Sequence, residues 1–166
     1  MSEPTDEERW HKRFGVQCNN RAWELSFQSR TPAEDREMLD RAHAAAWHWS
    51  HIGTELNRMR ATTLLAEVHA ALGLGDSAMA YADIVRAYFL GGRETDDWEI
   101  ACVHAVHAHA AHAAGRTVEH REAYERAKAA LAAIADEEDR EVILKTFNRV
   151  PVPTEGVDPA TDPGAE

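Results

Sequence analysis

The chain has 166 residues, enough for one domain with its own hydrophobic core. A formal net charge of −11 leaves no concentrated positive face for nucleic acid and disfavours docking on anionic lipid. Alanine is abundant while Val, Ile and Thr are sparse, a balance that favours helix over strand.

In chain order the first segment, MSEPTDEERW, is acidic and has no apolar core of the secretory type. No later apolar run reaches the length of a membrane span, so a soluble, cytoplasmic protein is expected. Thr5-Asp6-Glu7-Glu8 and Thr31-Pro32-Ala33-Glu34 both read as T-x-x-E capping boxes, the second with proline preset at the first helical position. Thr54 after Gly53, Asp76 after Gly75, Thr95 or Asp96 after Gly91-Gly92, and Thr117 after Gly115 mark further starts. The spacing predicts seven helices over roughly 6–28, 32–51, 55–72, 77–90, 96–114, 118–134 and 137–149. Gly15 and Cys18-Asn19-Asn20 are expected to bend or break the first. Residues 1–150 form one domain in this reading. Residues 151–166, with four prolines and several acids but little to bury, form a disordered tail.

The helices fall into pairs. An offset of forty residues superposes Gly75 on Gly115, Ile84 on Tyr124, Ala87 on Ala127 and His69 on His109. A glycine at the turn, a large residue in the groove and an alanine where helices approach closely are the parts of a helical hairpin repeat. The expected fold is therefore all-α, antiparallel hairpins stacked into a superhelix. These hairpins look like tetratricopeptide (TPR) units. Residues 42–61 (AHAAAWHWSHIGTELNRMRA), 65–73 (LAEVHAALG) and 134–141 (IADEEDRE) resemble a group of uncharacterised bacterial TPR-like proteins. That resemblance spans most of residues 14–150. It implies a fold and, from the usual role of such folds, a peptide or protein partner; it transfers no catalytic residue. A homo-oligomer is also compatible with it.

Ten histidines raise a second possibility, a transition-metal site holding Zn, Fe or Cu. His104 and His107 form one i,i+3 pair in the fifth helix, and His109 and His112 form another on a different face. With the forty-residue offset, Leu64 and Glu67 fall level with His104 and His107, and His43 of the second helix reaches a similar height. His43, Glu67, His104 and His107 would then supply three imidazoles and a carboxylate, a donor set suited to such an ion. His48 and His51 make a further i,i+3 pair. No HExxH motif supports this alternative.

For partner recognition the richest stretch is WHWSHIGTELNRMR, residues 47–60. Trp47 and Trp49 point to different faces, so one packs inward. Trp49, Asn57, Arg58 and Arg60 could line a concave surface suited to a carboxylate or an acidic peptide end. The groove is expected between the first, third and fifth helices. Nucleophilic catalysis has little footing: Cys18 and Cys102 have no base partner at helical spacing, and no P-loop, dinucleotide or serine-elbow motif occurs.

Overall fold

The protein is described by a computed structural model covering residues 3–154. Among the described residues it is wholly helical, with seven helices: α1 (Asp6–Ser26), α2 (Pro32–Ile52), α3 (Glu55–Ala71), α4 (Gly75–Phe89), α5 (Asp97–Ala113), α6 (Thr117–Ala133) and α7 (Glu137–Phe147). Thr5 and Thr31 close reciprocal capping boxes with Glu8 and Glu34. Thr54 does the same with Asn57, and Asp136 accepts from the Glu138 and Asp139 N–H groups, so four helix starts are capped by their own side chains. Thr117, expected as a cap, is instead the first residue of α6, and Arg116 stands before it.

The expected break in α1 is absent. Gly15 lies mid-helix because a Cβ there would stand 3.1 Å from the Trp49 ring. The glycine makes room for a neighbour and does not end the helix.

Hairpins α1/α2, α3/α4 and α5/α6 stack in order, and α7 closes the far end against α5 and α6. Each odd-numbered helix also packs on the next odd one, whereas the backbones of the even-numbered helices stay apart from one another. The odd helices thus form an inner row and the even ones splay outward. One end of the core gathers Ala22, Leu25, Met38, Leu64 and Val68; the other gathers Ala66, Met79, Val106, Ala110 and Ile143. The second group also holds Ala70, Ala78, Ala82, Ala101 and Ala111, so at about 25 cal/mol per Å² its stabilisation rests on many small burials. No helix among the described residues is long and apolar enough to cross a membrane.

The structural repeat is longer than the sequence match. Glu55 and Asp97 begin α3 and α5, Ala71 and Ala113 end them, and Gly75 and Thr117 begin α4 and α6; each pair is 42 residues apart, the separation also of the contacting residues Glu67 and His109. The equivalent turn glycines are accordingly Gly73 and Gly115, with φ of 71° and 70°, not Gly75 and Gly115. Both adopt the left-handed conformation that ends a helix. Gly75 serves close packing instead, since a Cβ on it would fall 2.5 Å from the Ala113 carbonyl oxygen. It sets the distance between the second and third hairpins.

The residues following α7 begin as a packed strap. Val150 is buried, and the Pro151 carbonyl accepts a hydrogen bond from His120 Nε2 at 2.9 Å. Residues 155–166 of the expected tail lie outside the described residues.

Candidate binding groove

Between α1, α3 and α5 lies a cavity of about 220 Å³. Asn19 and Trp23 reach it from α1, Arg60 and Thr63 from α3, Trp98, Glu99, Cys102 and Val103 from α5, and Phe89 from the end of α4. Helical spacing accounts for the convergence. Arg60, Thr63 and Glu67 share one face of α3, and Glu99, Cys102 and His109 share the α5 face that meets it. Parallel packing in the 42-residue register then brings them together as successive rungs.

At the mouth, Arg60 Nε donates to Glu99 Oε1 at 2.7 Å, and the guanidinium lies 5.1 Å from the Trp98 ring centroid. The Glu99 side chain is 7% exposed and the Arg60 side chain 42%, so the carboxylate is the fixed inner partner. The Nη groups of Arg60 make no hydrogen bond to any described residue, and with the side chain 42% exposed they remain available as donors at the cavity lining. Cys102 and Val103 form an apolar floor, and Trp23, Trp98 and Phe89 form walls. A space of this size takes about one aromatic ring or branched side chain; it falls below the ≈ 300 Å³ lower end of small-molecule pockets.

Deeper in the same interface Glu67 is wholly shielded from solvent, and its two oxygens lie 3.1 and 3.0 Å from His109 Nδ1. The carboxylate accepts, so the imidazole carries its proton on Nδ1. The Cys102 thiol sits near these acids. Burial first, then the negative charge of Glu67 and Glu99, push its pKa up to about 12. At neutral pH it is a protonated thiol and no nucleophile.

The four residues expected to share a metal do not converge. Glu67 engages His109. His43 stands edge-on to His69, ring centroids 5.3 Å apart, and that ring in turn packs on Tyr81. His107 turns the other way, toward α4 and α6, with its Nε2 3.0 Å from Glu119 Oε1 and 3.2 Å from Arg86 Nη1. His104 lies on that side too, its pKa lowered by burial and then by the charges of Arg126 and Arg86. Among the described residues no group of three or more His, Cys, Asp or Glu is placed to hold a metal ion. Two physical reasons explain the difference. The register of 42 sets His109 level with Glu67 in place of His107. And α5 is the central helix, buried from Glu99 to Ala111 on almost every side, so no single stripe is its core face.

Of the four expected partner contacts, only Arg60 lines the cavity. Trp49 covers Gly15, Asn57 closes the capping box with Thr54, and Arg58 Nη1 donates to the Gly53 carbonyl at 2.7 Å. Trp47 is the exposed member of the tryptophan pair, at 56%.

The closest meeting of imidazoles is one that sequence spacing did not single out. His11 and His48 bring their Nδ1 atoms to 3.0 Å across the α1/α2 hairpin, and His51 stacks on His11 at 4.6 Å between ring centroids. One Nδ1–H must donate to the other ring's lone pair, so at least one of the two rings is uncharged in this contact. The antiparallel hairpin carries the missing signal: Arg21 pairs with Glu37, and stepping outward from that pair in both directions arrives at His11 and His48.

The sequence matches no family model, no curated protein and no solved structure.

Proposed function

We propose that the protein is a TPR-like interaction module whose α1/α3/α5 groove binds an extended peptide segment of a partner. One apolar side chain of the partner enters the cavity, and a neighbouring carboxylate, from an acidic side chain or a chain end, meets the outer edge of Arg60. The observation that carries this reading is the Arg60 guanidinium itself. It is anchored through Nε by a shielded carboxylate and held against Trp98, and it leaves its two-pronged edge free beside an apolar space of one side chain. Pre-positioning reduces the ordering cost that a free arginine would bring to binding.

The hairpin stack supports the reading at the level of the fold. A row of inner helices presents successive side chains along one face, as helical repeats do for extended ligands. The repeat of 42 residues exceeds the TPR period of about 34 and lies nearer the length of other two-helix repeats. Burial and the neighbouring acids keep the Cys102 thiol protonated, so this cavity residue is a poor nucleophile at neutral pH.

Selection from a random peptide display library against the immobilised protein tests this. The expected consensus is a bulky apolar residue beside an acidic residue or a C-terminus. Enriched peptides should lose at least about tenfold in affinity for Arg60→Ala and for the cavity-filling Thr63→Phe. Peptides that bind both variants as tightly as the unaltered protein would place recognition elsewhere.

A further inference from the structure

The outer surface of the first hairpin is aromatic where the end of a helical stack needs a polar face for solubility. Trp10 is 52% exposed, Phe14 41% and Trp47 56%. They are joined ring to ring: Trp10 to Phe14 at 5.7 Å, Phe14 to His48 at 5.7 Å, and His48 to Trp47 at 5.1 Å. None of them lines the groove. A contiguous aromatic patch of this kind marks an interaction surface.

Charge along α1 identifies the occupant. Asp6, Trp10 and Arg13 recur at i, i+4 and i+7 and share one stripe of the helix. Arg13 lies over the Trp10 ring at 5.4 Å, and the Asp6 side chain, 88% exposed, stands 3.7 Å from Arg9 of the same helix in an ion pair open to solvent. The stripe is self-complementary under reversal. If a second α1 lies antiparallel on the first with Trp10 against Trp10, position 6 falls level with position 14 and position 7 with position 13, so each Asp6 comes within one helical step of the other copy's Arg13. A parallel arrangement instead sets acid on acid and base on base.

We infer that this face joins two copies of the chain in a twofold-symmetric dimer, α1 antiparallel to α1 and centred on Trp10. Twofold dimers are the commonest closed assembly, and a patch that matches itself is their requirement. The three aromatic residues offer about 300 Å² per copy, so rim contacts must add to reach the ≈ 1,200 Å² of the smallest stable interfaces. An interface this small calls for a test that reaches high protein concentration.

Sedimentation velocity over about 5 to 300 µM tests the dimer on the intact chain, independently of any peptide. The expected result is a monomer–dimer equilibrium. Trp10→Ala should weaken it at least about tenfold with helicity by circular dichroism unchanged, since the side chain is exposed. Asp6→Arg and Arg13→Asp should each weaken it about five- to tenfold, while an equimolar mixture of the two returns to within about threefold of the unaltered protein. Four results overturn the inference. They are a monomer throughout, an assembly larger than two, an unaffected Trp10→Ala variant, and a mixture no better than its components.

Discussion

Glu67 and His109 hold equivalent positions in two parallel stacked helices, 42 residues apart, and meet at 3.0 Å with the carboxylate fully out of solvent. This contact fixes the register of α3 on α5, and therefore of Arg60 on Glu99 at the mouth of the groove. A buried carboxylate left without a partner is strongly destabilising, and hydrophobic replacement of both members is close to neutral. His109→Ala should cost about 3–5 kcal/mol in urea unfolding. The double variant Glu67→Met/His109→Leu should recover to within about 1–2 kcal/mol of the unaltered protein. Additive losses would show that the pair does not act as a unit.

Gly75 predicts a second, steric effect. An added methyl would fall 2.5 Å from the Ala113 carbonyl oxygen and from the Ala114 Cα, which are backbone atoms unable to turn aside. Gly75→Ala should destabilise by about 1–3 kcal/mol through forced separation of the hairpins. At Gly73, with φ of 71° and open space around the Cβ position, the loss should be about 1 kcal/mol from backbone strain alone. Thermal unfolding of the two variants separates these causes by size.

Acid should weaken the fold well above the carboxylate range. His104, His107 and His120, and with them the more exposed His43 and His48, have pKa values lowered from 6.5, in each case chiefly by desolvation, which disfavours the charged ring; the buried His107 and His120 carry most of the effect. Neighbouring charge adds to this: His69 acts on His43, His11 and His51 on His48, and Arg86 on His107. As pH falls through about 6.5 the unfolded chain takes up protons first, so stability declines and levels off only below the depressed folded values. The melting temperature should be flat above about pH 7.5 and drop toward pH 5.5, less steeply in His107→Gln. A melting temperature that holds or rises over that interval would contradict the burial described for these rings.

Cys102 should resist alkylation. With its thiol pKa at about 12, the thiolate is scarce at pH 8, and the side chain is 8% exposed. Iodoacetamide labelling followed by mass spectrometry should modify Cys102 at the rate of global unfolding, and fast labelling of the folded protein would mean an open cavity floor.

The fold was largely legible because its helices are punctuated locally. Thr5, Thr31 and Gly115 act within a turn of themselves, so each helix start or stop carries its own signal in neighbouring residues. The site was less legible because it depends on register between helices. An offset of forty aligns chemically similar residues such as Gly75 and Gly115, yet the loops place structural equivalents 42 apart. Two positions turn a helix by more than half a turn, enough to exchange His107 for His109 opposite Glu67. Periodicity also fails on α5, where small residues are buried all around the helix and leave no polar face to orient it. Arg60 was identifiable, but Asn57 and Arg58 serve their own helix start, a use that sequence alone does not separate from partner binding.

The central claim, that the α1/α3/α5 groove receives a peptide side chain, is tested most directly by the five tryptophan indole N–H signals in a nitrogen-15 correlation spectrum. Trp23 and Trp98 stand in the cavity wall, while Trp10, Trp47 and Trp49 lie on the first hairpin away from it. On titration with a display-selected peptide, the signals of Trp23 and Trp98 should move and saturate together while the other three stay in place. Movement of Trp10 and Trp47 with Trp23 and Trp98 unchanged would contradict the claim.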